Sequence, residues 1–272
     1  MVIAILFTKL RSKISSLEKG EPLLYYKCQW ENKTDDVSIG YLIYKWFHFI
    51  IIVSAILLSL LNNEEGHPAR WPIYLTNWAL ILYFVQALLG TFIVTNAYYC
   101  IRKGKSLELS GKFMQIYGAL QSTAIVTAFG VTFVYWYFVH NPEIHKMNVV
   151  NISSHICNSI IMLIDLIMVA HPVKLVDIVF PLFYSLLYTG FNIIYFLCGG
   201  TDRKGNPYVY KVLDWRRPVH AISFVHGGLL LLIFIFFVVW LVSLLRRSIS
   251  NRFEATHDLV PQQEPPFELS IA

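Results

Sequence analysis

The chain has 272 residues, of which 56% are hydrophobic, 15% aromatic and only 14% charged, and its mean hydropathy is +0.54. Soluble domains carry about 25% charged residues, so this composition argues against a soluble enzyme, a disordered chain or a disulfide scaffold and for a polytopic membrane protein. The net charge of +5 reads as topology rather than nucleic-acid binding, because membrane proteins collect Lys and Arg on their cytoplasmic loops. No nucleic-acid partner is expected. Cys28, Cys100, Cys157 and Cys198 show no C-x-x-C or Cys/His spacing, so the reading calls for no metal and no cofactor.

Residues 1–40 form a polar cytoplasmic tail. Its apolar opening, residues 1–7, is too short for a signal peptide and precedes its positive charges Lys9, Arg11 and Lys13, so it is expected to lie on the membrane surface. A hydrocarbon core about 30 Å thick needs roughly 20 apolar residues per helix. Six runs qualify: 41–61, 73–95, 113–139, 149–170, 176–198 and 221–245, each bounded by charge, Pro, Gly or Asn. The predicted fold is therefore all-α, a bundle of six transmembrane helices over residues 41–246. Residues 247–272, with Pro261, Pro265 and Pro266, read as a disordered cytoplasmic tail. No repeat or inverted symmetry points to a transporter.

Fourteen Lys and Arg fall on the face that holds both termini and seven on the other, with Lys45 left inside the first span. Both termini are thus predicted to be cytoplasmic. The sequon at Asn32 would face the cytosol and that at Asn151 would sit at the bilayer edge, so neither is expected to be glycosylated.

Polar groups inside the spans carry the functional information, since each is costly in hydrocarbon unless it faces other helices or water. In the fourth span His155, Asn158, Met162 and Asp165 share an arc of roughly 80° at 100° per residue. Thr76, Tyr83 and Gln86 repeat the offsets in the second. The matching stripes suggest two helices facing one interior; the alternative reading of Tyr83, Gln86 and Asn158 is interhelical hydrogen bonds that only hold the bundle together. Counting 1.5 Å per residue, Thr76 and His155 lie roughly 5 and 9 Å below the outer surface, with His226 also near that end. Asp165 and Lys45 lie near the cytoplasmic end, where they can form an ion pair; snorkelling is the other reading of Lys45.

Three strings occur in order along the chain: Trp71-Pro72-Ile73-Tyr74-Leu75-Thr76-Asn77-Trp78; Asp165 followed by His171-Pro172; and Gly199-Gly200-Thr201 leading through Tyr208-Val209-Tyr210 to Leu213-Asp214-Trp215. Over about residues 20 to 245 they resemble the rolling stone proteins of animals. A more distant resemblance is to the androgen-induced family of membrane hydrolases, which cleave fatty acid esters of hydroxy fatty acids. Those enzymes have a catalytic Thr at the outer start of the second span and a catalytic His at the outer start of the fourth. Thr76 and His155 stand in the corresponding places, with Asp165, His171 and Val209-Tyr210 matching later family positions. The family's Pro after that Tyr is Lys211 here, and Asn77-Trp78 replace an apolar-aromatic pair.

The resemblance implies an intramembrane hydrolase of lipid esters in which Thr76 is the nucleophile and His155 its base, acting on a membrane lipid substrate. A Thr hydroxyl is a poor nucleophile until a base takes its proton, and a neutral imidazole does that. Asn77, Asn151 and Asn158 are possible oxyanion donors, with His226 in support. Resemblance to rolling stone implies a second class, a non-catalytic membrane protein of cell-cell recognition or myoblast fusion. For that role the segment 199–220 is the one outer segment large enough to bind a protein partner. Its Gly199-Gly200-Thr201-Asp202-Arg203-Lys204-Gly205 string lacks the strand-loop-helix frame of a phosphate cradle and reads as a connection. Either class places the chain in the plasma membrane or the endoplasmic reticulum.

Overall fold

The structure is a computed structural model and describes residues 12–18, 21–31, 36–61, 68–140, 152 and 156–258. Among these residues the chain is helical, with one isolated β-bridge between Cys28 and Val169. The principal helices are α1 (Ile39–Leu61), α2 (Leu75–Arg102), α3 (Gly111–Val134), α4 (Asn158–Met168), α5 (Val179–Leu197) and α6 (Pro218–Asp258). Among the described residues, five segments are long and apolar enough to cross a membrane: Ile39–Leu61, Leu75–Arg102, Gly111–Val139, Leu175–Leu197 and Pro218–Phe253. The run expected at 149–170 is seen as a regular α-helix only over Asn158–Met168, with Asn151 and His155 outside the described residues.

Local chemistry sets most boundaries. The Ser110 hydroxyl caps α3 by accepting the Phe113 N–H at 3.2 Å. Past Val134 that helix loosens into a π turn over Tyr135–Val139. At the end of α5, Gly199 takes φ 76°, which a residue with a Cβ adopts only under strain, and the Gly200 N–H returns to the Tyr195 carbonyl at 2.9 Å. α6 does not stop at Arg247, where the sequence predicts a tail. It continues to Asp258, and residues 259–272 lie outside the described residues, as do 1–7.

α2 and α3 form the centre: 56% of the apolar window of each is buried, against 22% for α1 and 17% for α5 and α6. The outer helices turn large apolar side chains outward, among them Ile43, Phe47, Phe183, Leu230 and Phe234. A helix that is apolar on its exposed face is stable only against lipid or another protein. The shared core packs Ile52, Leu80, Tyr83, Ile125, Met162, Leu166 and Phe236 from five helices.

The N-terminal segment is strapped to the end of α4 and to α6. Its Gln29 N–H donates to the Met168 carbonyl at 2.8 Å, and the Ala170 N–H donates to the Lys27 carbonyl at 3.2 Å. Glu18 accepts from the Trp240 indole at 2.7 Å and from the Leu175 N–H at 3.1 Å. Arg247 donates to the Leu17 carbonyl, and the Ser250 hydroxyl to that of Gln29. The beginning of the described chain and the end of α6 therefore share one face of the bundle.

Candidate functional site

At one level of the bundle four helices converge on a single carboxylate. Asp165 on α4 is fully buried, and its Oδ1 accepts from Lys45 Nζ at 2.6 Å and from the Tyr44 hydroxyl at 3.0 Å, both on α1. Its Oδ2 accepts from Gln86 Nε2 on α2 at 3.0 Å and from Gln121 Nε2 on α3 at 2.8 Å. A buried ionised carboxylate offers about four acceptor positions, and here four donors meet them. Lys45 is 1% exposed, so it does not snorkel. Its ammonium lies 5.6 Å from the ring centres of Tyr41 and Tyr44. His48, equally buried, stands with Nδ1 3.8 Å from Asp165 Oδ1, too far for a hydrogen bond. The knot is saturated. A carboxylate so thoroughly bonded is poorly placed to accept a substrate proton, and its chemistry is that of a clamp.

Beside the knot, toward the N-terminal segment, His171 stacks on Tyr25 with ring centres 4.7 Å apart and meets the Tyr117 ring edge-on at 5.4 Å. Burial, with the Arg246 guanidinium nearby, pushes its imidazole down to about 3, so it is neutral at physiological pH. Arg246 donates to the His171 carbonyl at 2.7 Å and to that of Leu166, which closes the turn after α4.

The second level is a cavity of about 110 Å³ between α3, α5, α6 and the segment that joins α5 to α6. Its wall is mostly apolar, from Val131, Val134, Leu231 and Leu232 among others, and Gly130 and Gly228 make room for it. Hydroxyls interrupt that wall at Thr76, Thr127, Tyr184, Ser185, Tyr188, Thr189 and Tyr210. Thr76, one residue inside the start of α2, is half-buried. The Tyr210 hydroxyl accepts the Leu75 N–H at 3.0 Å and interacts with the hydroxyls of Thr76 and Tyr188. Tyr188 in turn donates to the Ile73 carbonyl at 2.9 Å. Burial pushes the Tyr210 phenol up to about 12, so it keeps its proton at neutral pH. Ten residues along α2 separate Thr76 from Gln86, about 15 Å, so cavity and knot occupy different depths.

A family model described as "Protein rolling stone" matches residues 15–259. The chain belongs to the rolling stone family. Protein rolling stone of Drosophila melanogaster is 30% identical over 226 residues, which cover 79% of this chain and 80% of the fly protein. No solved structure matches the chain.

In this rolling stone family member the residues singled out from sequence fall in different places. Thr76 lines the cavity, whereas His155 lies outside the described residues. Asn158 is 2% exposed and shares the buried stripe of α4 with Met162 and Asp165. Asn77 is committed elsewhere: its amide donates to the Trp71 carbonyl at 2.6 Å and its oxygen accepts from Ser59, so it ties the segment before α2 to the end of α1. His226 is on the exposed side of α6 and its ring bonds the Ile222 carbonyl of its own helix at 2.8 Å. Phe224, Val225 and Gly228 face the cavity instead. Sequence reasoning left out Tyr44, His48 and Gln121 at the knot and Tyr188 on the cavity wall beside Tyr210. A Tyr or Gln within an apolar run is compatible with either face of a helix, so position alone does not pick these out.

Proposed function

We propose that this rolling stone family protein is an intramembrane threonine hydrolase of lipid esters, with Thr76 as nucleophile and His155 as its base. The observation that supports this reading best is the placement of the Thr76 hydroxyl on the wall of an apolar cavity, among other buried hydroxyls. An acyl chain takes the apolar length of such a cavity, and the ester group takes the polar end. Transfer of the Thr76 proton to His155 accompanies attack on the ester carbonyl, and an acyl-threonine forms as the alcohol leaves. Water then releases the acid by the same route in reverse. Fatty acid esters of hydroxy fatty acids are the substrate class the distant resemblance favours. A lipid in the outer leaflet reaches this level without crossing water.

The same proposal carries six crossings with both ends in the cytosol. The contact between residues 17–29 and the end of α6 supports an even number of crossings, and the Lys and Arg distribution supports that side. The membrane is the plasma membrane or the endoplasmic reticulum.

The test is labelling of the purified full-length protein with a fluorophosphonate probe, followed by release of free acid from a long-chain fatty acid ester. Wild type is expected to label and turn over, and Thr76→Ala to do neither. Labelling that persists in Thr76→Ala, or an inert wild type, refutes the proposal. One observation favours a second reading, recognition of a protein partner in cell contact or fusion. The outer segment is held rigidly, with Asp202 accepting from the N–H groups of Lys204 and Asn206, while the Arg216 side chain is 54% exposed.

A further inference from the structure

Acyl transfer from an ester needs more than a nucleophile and a base. The tetrahedral intermediate carries a negative charge on the former carbonyl oxygen, and a fixed hydrogen-bond donor within about 3 Å of that oxygen is the largest single aid to the reaction. Neither Asn77 nor Asn158 is shown in that position. Asn77 is bonded to Trp71 and Ser59, and the buried stripe of α4 that holds Asn158 also holds Asp165 of the knot.

Among the hydroxyls on the cavity wall, the one hydrogen-bonded to Thr76 has the required character. The Tyr210 hydroxyl comes from the outer segment, not from a helix of the bundle, and lines the same cavity as Thr76. Its oxygen accepts the Leu75 N–H at 3.0 Å, which fixes the ring and draws electron density from the O–H bond. The Tyr74 ring meets it edge-on with centres 6.0 Å apart, restraining it from a second side. Tyr188 donates its own proton to the Ile73 carbonyl at 2.9 Å and is therefore not the proton source for a new anion. The Tyr210 hydroxyl, by contrast, is hydrogen-bonded to the Thr76 side chain in the resting site.

We infer that Tyr210 is the oxyanion donor of the Thr76 site, a catalytic residue that stabilises the tetrahedral intermediate of ester cleavage. The inference rests on the hydrolase reading and assigns the group that reading lacks. As the Thr76 Oγ–C bond forms, its proton passes to the base and the carbonyl π electrons move onto oxygen, which accepts the Tyr210 O–H. Collapse re-forms the carbonyl, breaks the bond to the alcohol oxygen and returns the proton from the base to that oxygen. Water repeats both steps on the acyl-threonine, so ester and water become acid and alcohol. Tyr210 holds its proton throughout; its high pKa, near 12, makes it a donor and not a base.

The experiment uses the full-length protein in detergent with 4-nitrophenyl palmitate as substrate and an alkyl trifluoromethyl ketone as the analogue of the tetrahedral state. Tyr210→Phe is expected to lower kcat by roughly 10²–10³-fold, as for loss of one oxyanion donor, with KM within about threefold. Binding of the ketone is expected to weaken in parallel with kcat/KM. Tyr195→Phe, which removes a tyrosine hydroxyl that bonds the Thr201 carbonyl outside the cavity, is expected to stay within about tenfold of wild type. If wild type turns over and Tyr210→Phe keeps its kcat, Tyr210 is not the donor and the hydrolase reading stands without it. If KM rises while kcat and ketone binding hold, Tyr210 only shapes the cavity, and the inference is overturned. An inert wild type removes both.

Discussion

Neutralising Asp165 tests whether the four-helix knot is a clamp. In Asp165→Asn the side chain keeps its shape, but the Lys45 ammonium, 1% exposed, loses the carboxylate that sits 2.6 Å away. With its oxygen kept toward Lys45 and Tyr44, the new amide turns its NH2 toward the Gln86 and Gln121 amide donors, so both of those bonds are lost as well. Breaking a buried ion pair from one side costs about 3–5 kcal/mol. Lys45→Met is milder. It leaves the carboxylate buried but still bonded by Tyr44, Gln86 and Gln121, each such bond to a charged group being worth about 1.5–3 kcal/mol. A loss of about 2 kcal/mol is expected there.

The double variant Lys45→Met/Asp165→Asn leaves no unpaired charge, so its loss should fall about 2 kcal/mol or more short of the sum of the singles. With about 2–4 °C per kcal/mol for a domain of this size, Asp165→Asn is expected to melt about 10 °C below wild type, and the double variant above that sum of shifts. The assay is the fraction of full-length protein that stays monodisperse in detergent after a heating step, read by fluorescence-detected size-exclusion chromatography. Additive losses, or an Asp165→Asn protein that melts with wild type, refute the clamp.

Three further outcomes are expected. Gly90→Ala should destabilise by about 1–3 kcal/mol, because its Cβ would lie 2.6 Å from the Tyr117 hydroxyl, read by the same heating assay; a wild-type melting point refutes this. Stability should fall on acidification from about pH 6.5 toward 3, because the unfolded His171 takes a proton there and the buried one does not; the loss at pH 5 is about 2 kcal/mol, and His171→Phe should flatten the profile. Gly130 carries no Cβ against Leu232, whose Cδ2 would lie 2.7 Å from one, so Gly130→Leu should fill the cavity, slow fluorophosphonate labelling and cost about 1–3 kcal/mol of stability as the Leu232 tip gives way; unchanged labelling of the folded variant would detach the reactive site from this cavity.

The apolar segments were legible because a bilayer imposes a length on them, and the membrane-crossing segments overlap five of the six runs read from the sequence. Boundaries were less so. α2 runs on to Arg102 and α6 to Asp258, since a helix does not end where hydrocarbon ends. Lys45 and Asp165 stood out because an ionisable group in a span demands an explanation, and Gln86 because it shared a stripe with Thr76. Tyr44 and Gln121 raised no such demand, because their bonds to Asp165 depend on the relative rotation and depth of three helices. His226 shows the limit of depth without azimuth. It lies near the right level, but Phe224, Val225 and Gly228 face the cavity and the ring at 226 falls on the other side of α6.

Knot and cavity divide the bundle between two kinds of packing. The knot binds α1, α2, α3 and α4 through directed bonds to one carboxylate, which fixes their relative rotation and depth, and with them the start of α2 where Thr76 stands. The opposite cavity wall is built from α5 and α6, which are the least buried of the long helices. Hydrogen bonds that tie α5 run to the segments before α2 and before α6, from Tyr188 to the Ile73 carbonyl and from the Trp215 indole to Asn192. Apolar contact between helices holds less tightly in lipid than in water, because lipid tails offer the same contacts. The rigid side of the protein thus presents the hydroxyl and the soft side faces the bilayer, so a lipid chain is expected to enter between α5 and α6. A cysteine pair placed to cross-link those two helices should block turnover of a lipid ester while sparing labelling by a small fluorophosphonate. Equal loss of both would mean that the cavity fills from water.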